Sequence, residues 1–339
     1  MLPLQRKSRR KIENMPRKLL LFGNGLGMAL NPSKFNLSQA IDAIWQDPEI
    51  ITPGHKDLIS KCLPGEMQYP QGEEELSLVY LAANACSFLR VLQGEEGGVR
   101  WLTDIGNNYP DACRKFIKET ATQLYCNTET LPDNFIGPLS DFIQETQSHV
   151  ANLNYDGLLY RPFIERSVCE GYNGHLVDGV LRTGFSENNL ERRYDNAFGY
   201  YLHLHGSPLF YREGNIVYKS HVDEPELDDE RNVRDVVLAN VRDKPVFIQR
   251  SPILKSYWRY FCDTALPEAT EILLVGYSGQ DKHVNQLLSA HAKRGVLVRI
   301  IEWSGAGEVE ARTIFWKKTL KSESLELNQM DNILEFTDW

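Results

Sequence analysis

Four short stretches of this chain are apolar at almost every position, and each gives way at once to small or polar residues. They are "RKLLLFGNG" (17–25), "HVANLNYD" (149–156), "YYLHLHGS" (200–207) and "EILLVGYSG" (271–279). A strand without polar alternation has no face to give to water, so it must be covered on both sides, as in a parallel sheet. "NIVYKSH" (215–221), "PVFIQ" (245–249) and "GVLVRIIEW" (295–303) extend the set of strand-like runs, and helical patterns such as "SPILKSYWRYFCDTAL" and "DKHVNQLLSAHAKR" separate several of them. Strands alternating with helices predict an α/β fold built on a doubly wound parallel sheet.

Between the first strand and the second, residues 36–147 carry apolar residues at three- and four-residue steps, in "LSQAIDAIWQD", "EEELSLVYLAANACSFLRVL", "ACRKFIKETATQLY" and "FIGPLSDFIQETQ". The turns "TPGH", "LPGE", "YPQGEE", "GEEGG" and "TLPDN" break the pattern. This reads as a helical insertion after the first strand. The chain divides into a basic arm, 1–16, and one domain, 17–339, interrupted by that insertion.

Composition narrows the function classes. A net charge of −9 disfavours a broad nucleic-acid face, and the cluster Arg6, Lys7, Arg9, Arg10 and Lys11 reads either as a solvated, disordered tail or as an electrostatic contact to DNA or a partner. No run of 18 apolar residues appears, so no membrane span is expected. The arm has no apolar segment of signal-peptide form behind it. The six cysteines form no CxxC pair and read as small buried residues, which fits a reducing cytoplasm and no zinc.

Open parallel sheets bind ligands at the carboxyl ends of their strands. There the chain presents Gly23, Asn24 and Gly25 after the first run, and Asn154, Tyr155 and Asp156 after the second. His205, Gly206 and Ser207 follow the third run. Gly276, Tyr277, Ser278 and Gly279, with Asp281 close behind, follow the fourth. Singly, each has an ordinary reading. Glycines make tight turns, Asp156 caps a helix at Gly157–Leu158, His203 and His205 belong to the core, and "GYSG" is a turn. Together they form the set of polar and small residues that a nucleotide site needs.

The order glycine loop, N-x-D, L-H-G, G-x-S resembles the sirtuin family, and more closely the sirtuin-like domains of bacterial antiphage defence proteins. The resemblance covers 17–35, 148–165, 198–210 and 270–303. It implies a Rossmann-like fold and a reaction on NAD+, taken as substrate and not as cofactor. By this resemblance Asn154 and His205 are the catalytic pair and Asp156 supports NAD binding. Gly23, Asn24 and Gly25 lie under the pyrophosphate, and Gly276 and Ser278 approach the ribose or phosphates. The chain departs from the family in several ways. Its motif reads Asn152-Leu153-Asn154-Tyr155-Asp156 without the usual threonines. Its loop reads GNGLG without the PDFR segment that deacylases carry, and it lacks their two zinc-binding CxxC pairs. Deacylation of a protein substrate is therefore disfavoured.

The implied reaction is NAD+ glycohydrolysis, giving nicotinamide and ADP-ribose. The nicotinamide already carries a positive charge and leaves without protonation, through an oxocarbenium-like transition state. An amide such as Asn154 can accept a bond and donate one at any pH, and a histidine such as His205 suits base work near neutrality. The resemblance further implies an NAD-depleting antiphage effector that is a homo-oligomer or partners a HerA-like ATPase. With little chain expected after the last sheet strand, a separate partner would act as the sensor. The alternatives are a module that binds NAD+ or ADP-ribose without turnover, and a Rossmann dehydrogenase. Against the dehydrogenase, helical sequence occupies the region about 20 residues past the glycine loop where a second strand would end in a ribose-binding acid.

Overall fold

The computed structural model describes residues 16–92, 101–223, 235–238 and 244–339. Residues 1–15 of the basic arm, the "GEEGG" turn and most of the acidic stretch 223–232 lie outside the described residues.

Eleven strands occur among the described residues: β1 (Lys18–Phe22), β2 (His149–Asn152), β3 (Leu176–Val177), β4 (Val180–Leu181), β5 (Gly184–Phe185), β6 (Gly199–His203), β7 (Phe210–Glu213), β8 (Ile216–Lys219), β9 (Glu271–Val275), β10 (Leu297–Trp303) and β11 (Leu325–Met330). Seven of them form one sheet in the order β11-β10-β9-β1-β2-β6-β3, every pair parallel. The chain moves outward from β1 through β2 to β6, then returns to the other side of β1 at β9. This is the doubly wound, Rossmann-like arrangement with its switch point beside β1.

The apolar runs are covered on both faces, as their composition requires. Leu19, Leu21, Ala151, Ile272 and Leu274 belong to one core cluster, while Leu20, Phe22, Val150, Leu273 and Val275 belong to the other. Register makes the strand ends level. Phe22 pairs with Asn152 and with Val275, Asn152 pairs with His203, and Val275 pairs with Ile301. One row of residues therefore crosses five strands, and the turns leaving that row lie along a single edge.

After β1 come α1 (Gly25–Leu30) and α2 (Pro32–Phe35). The insertion comes next with α3 (Leu37–Gln46), α4 (Pro53–Cys62), α5 (Glu73–Leu92), α6 (Asp104–Tyr125) and α7 (Asp133–Thr146). The insertion has its own core, with Ile41, Trp45, Ile59, Leu76, Val79 and Phe116, and it also takes in Val236 and Leu238. The later helices are α8 (Tyr160–Glu165), α9 (Lys244–Arg250), α10 (Pro252–Tyr260), α11 (Leu266–Glu268), α12 (Lys282–Ala292) and α13 (Val309–Leu320). Helix α5, 20 residues long with mean hydropathy 1.3 over its most apolar 18-residue window, is the one described helix long and apolar enough to cross a membrane. Asn84 and Arg90 interrupt its sequence, so no unbroken apolar run marks it.

Several expectations need correction. "PVFIQ" is helical, within α9, because a proline in the first helical turn forfeits no hydrogen bond and a five-residue apolar run fits either period. "NIVYKSH" contributes β8 to an antiparallel hairpin with β7, outside the main sheet. Trp303 does not close the sheet: α13 and the edge strand β11 follow, and Ile333, Leu334, Phe336 and Trp339 pack into a core cluster. Of the cysteines, only Cys113 and Cys169 are fully buried, and Cys126 is exposed.

Candidate active site

A cavity of about 740 Å³ opens along the level edge of the sheet. Gly23, Asn24 and Gly25 line it from the β1 turn, Asn154 and Asp156 from the β2 turn, His205 from the β6 turn, and Gly276 and Ser278 from the β9 turn. The eight residues that the resemblance assigns to the site thus line one cavity, whereas Gly206, Ser207 and Gly279 do not line it. His203, two residues before His205, does not line the cavity. It is packed among Tyr160, Tyr201 and Phe210.

The glycines are required by contact between two turns. Gly25 N–H donates to Gly276 O at 2.9 Å. A Cβ on Gly23 would lie 2.7 Å from Gly276 O, one on Gly25 would lie 2.6 Å from Gly276 Cα, and Gly276 itself has φ +60°. The bare faces expected to meet a pyrophosphate are pressed against each other, and the paired turns form the cavity floor. Asn24 Nδ2 donates to Phe35 O at 3.2 Å, which ties this floor to α2.

Asn154 is oriented by two bonds. Its backbone N–H donates to Asn152 Oδ1 at 3.1 Å, and its Nδ2 donates to Gly23 O at 3.1 Å. A carbonyl only accepts, so the amide nitrogen is fixed on Gly23, and Oδ1 is buried with no partner in the chain. Asp156 Oδ1 accepts the Leu158 N–H at 3.1 Å, an Asx turn that shapes the entry to α8. Burial pushes the Asp156 carboxyl up to about 6. The helix-capping reading does not hold: α8 begins at Tyr160 with Leu159 at its N-cap, and Asp156 instead closes a turn ahead of the helix and lines the cavity.

His205 faces Leu153 O through Nδ1 at 3.2 Å. That carbonyl fixes the proton on Nδ1 and leaves Nε2 as a lone-pair acceptor, buried and unpartnered by the chain. Burial, with the charge of Lys244 added, lowers His205 to about 3. The imidazole is therefore neutral at physiological pH and a much weaker base than its ordinary value suggests. The turn behind it needs Gly206, which has φ +86° and where a Cβ would collide with Asp235 O. His205 O accepts Val237 N–H at 2.9 Å, and the hydroxyl of Tyr155 donates to Val237 O, with the Tyr155 ring stacked on His205.

Around this pair lies a charged group that sequence reasoning did not assemble. Lys244 Nζ lies 2.9 Å from Asp281 Oδ1 and 3.0 Å from Glu73 Oε2, bringing α9, the start of α12 and the first residue of α5 together. Burial opposes both charges, yet the Lys244 ammonium holds Asp281 below the usual carboxylate range, and the two carboxylates hold Lys244 above its own. His283, in the first turn of α12, is lowered to about 4 by burial, and its ring centroid is 5.9 Å from that of His205. Glu302 at the end of β10 lines the cavity but is bound by Arg312, Trp316 and Gln329. Its neighbour Trp303, 61% exposed, leaves an aromatic ring at the rim. His283 was visible two positions after Asp281. Glu73 and Lys244 gave no local signal, since each acquires its role from elements distant in sequence.

No protein family and no curated protein matches the chain.

Proposed function

We propose that this chain is an NAD+ glycohydrolase that cleaves the nicotinamide–ribose bond, with Asn154 and His205 as the catalytic residues. The observation that carries the reading is the pairing of two acceptors, Asn154 Oδ1 and His205 Nε2. Both are buried and unpartnered by the chain, and both belong to side chains lining one cavity at the carboxyl edge of a doubly wound sheet.

In this reading the dinucleotide lies across the β1 and β9 turns, with its nicotinamide ribose toward β2 and β6. Trp303 offers a face to the adenine, and Ser278 a hydroxyl to the phosphates or ribose. Nicotinamide leaves with the bonding electron pair, and positive charge develops at the anomeric carbon. Asn154 Oδ1 stabilises that charge as the negative end of an amide dipole and accepts a hydrogen bond from water or a ribose hydroxyl. His205 Nε2 accepts the proton of the water that adds. Water bonding to an oxocarbenium ion becomes strongly acidic as the bond forms, so a weak base in a dry site suffices. The products are nicotinamide, ADP-ribose and one proton.

The test is release of nicotinamide from NAD+ by the purified protein. Asn154→Ala and His205→Ala should each slow it by roughly two to four orders of magnitude with the fold intact. Unchanged rates in both variants would end the assignment. The low basicity of His205 favours a second reading, a module that binds NAD+ or ADP-ribose without turnover. In that case binding is measurable and nicotinamide does not appear.

By the same resemblance the chain acts as an NAD-depleting antiphage effector, assembled with copies of itself or with a HerA-like ATPase. The exposed apolar face of α5, with Leu81 at 67%, Phe88 at 63% and Val91 at 78% exposure, supports the insertion as the assembly surface. A native mass measurement of the purified protein, alone and with such an ATPase, decides it.

A further inference from the structure

We propose that His205, Asp281 and His283 form a binding site for a divalent transition-metal ion. Each offers one ligand atom, and all three atoms lie within 4.8 Å of one another. Metal–ligand bonds of about 2.0–2.2 Å place donors roughly 4 Å apart or closer, so a small side-chain rotation closes the set. His283 is partly buried in the first turn of α12, between the rings of Trp258 and His205.

The imidazoles are set up as ligands. His205 Nδ1 is engaged by the Leu153 carbonyl at 3.2 Å, which presents Nε2, and a backbone carbonyl on the far nitrogen is how metal-bound histidines are usually oriented. Neither nitrogen of His283 has a partner in the chain, although both are buried. Three of the four ring nitrogens in this cluster thus lack a protein partner. Leaving buried polar groups unsatisfied is costly, so an external partner is favoured. Two imidazoles and one carboxylate suit Zn²⁺, Co²⁺, Mn²⁺ or Fe²⁺ and do not suit Ca²⁺ or Mg²⁺. Lys244 engages only one oxygen of Asp281, and Glu73 pairs with the same ammonium. Glu73, Lys244 and Asp281 together therefore keep one negative charge to attract the ion.

Such an ion takes the Nε2 lone pair of His205. If the cavity hydrolyses NAD+, metal binding and turnover exclude each other, and zinc is an inhibitor. This consequence rests on the hydrolase reading, and the binding site does not.

The experiment is a titration of the metal-stripped full-length protein with Co²⁺, in the absence of NAD+, followed by its visible d–d absorption and by competition with Zn²⁺. The expected result is one ion per chain. Affinity should fall by about tenfold or more in His283→Ala and in Asp281→Asn, in line with the loss of a ligand, and should be unchanged in His221→Ala, an exposed control. His283→Ala removes a partly buried side chain at the start of α12, and its circular dichroism should match that of the parent. Absence of binding, or binding unchanged in His283→Ala, overturns the proposal. Full nicotinamide release at saturating Zn²⁺ overturns the shared use of His205 and leaves the binding result standing.

Discussion

Lys244 Nζ lies 2.9 Å from Asp281 Oδ1, and through this contact a helix beyond the β6 region is fastened to the turn after β9. The same ammonium reaches Glu73 at 3.0 Å, so the helical insertion is held over the cavity by one buried cation. Removing that cation leaves two carboxylates facing each other across the cavity. Lys244→Met should destabilise the protein by about 3 kcal/mol, the lower end for breaking a buried pair because Glu73 is partly exposed. A urea midpoint unchanged by the substitution would show that the triad does not hold the insertion. Adding Asp281→Asn should recover part of the loss, since the two effects share one network.

Asp156 gives a pH dependence whose sign is set by its burial. The folded carboxyl sits at about 6, above its ordinary 3.8, so the folded state binds a proton more readily than the unfolded chain. Its stabilising contribution is complete below the unfolded value and is lost as pH rises through about 6. Asp156→Asn keeps an oxygen for the Leu158 N–H and removes the charge. The variant should therefore gain roughly 1–3 kcal/mol relative to the parent at about pH 7.5 and little at about pH 3.5. Denaturation curves at the two pH values check it, and an equal difference at both would refute the assignment to this carboxyl.

The parallel sheet was legible because runs such as "KLLLF" and "EILLV" admit only a doubly covered strand, and the four turns were legible because each run stops abruptly. The residues predicted to meet do line one cavity, since strands in register bring their ends level. The features that stayed hidden depend on longer reach. Lys244 stands before an apolar pentapeptide that fits either period, so its helix was read as a strand. Glu73 looks like any acid in a first helical turn until α5 is docked against α9. Sequence alone presents an unburied imidazole at His205, and its depression comes from burial together with Lys244 of α9 and His283 of α12. Strand β11 was missed because an edge strand with one half-solvated face carries little apolar signal.

Gly276 tests whether the two glycine turns are matched to each other. Its φ of +60° costs another residue about 1–2 kcal/mol, and a Cβ there would press within 2.7 Å of Leu26 N. Gly276→Ala should lose about 2–4 kcal/mol in total, adding overpacking to strain, and should lower the yield of folded protein. A thermal midpoint close to that of the parent would mean that the β1 and β9 turns can separate at little expense.

His203 and His205 lie two positions apart, and the proposed reading gives the first a packing role and the second a chemical one. His203 is buried among aromatic rings, with Nε2 unpartnered by the chain and its pKa lowered by burial to about 3. Replacing an unsatisfied buried polar ring with an apolar one of similar shape is close to neutral or stabilising, so His203→Phe should change stability by no more than about 1 kcal/mol and raise it if anything. Nicotinamide release should be unaffected, because the ring lies outside the cavity. His205→Phe keeps the volume and the contact with Tyr155 but removes the Nε2 acceptor, so release should fall by roughly two orders of magnitude or more. Measuring both variants side by side, with folding followed by circular dichroism, decides between roles. Equal loss of activity in the two would mean that the strand as a whole, and not the lone pair of His205, governs turnover.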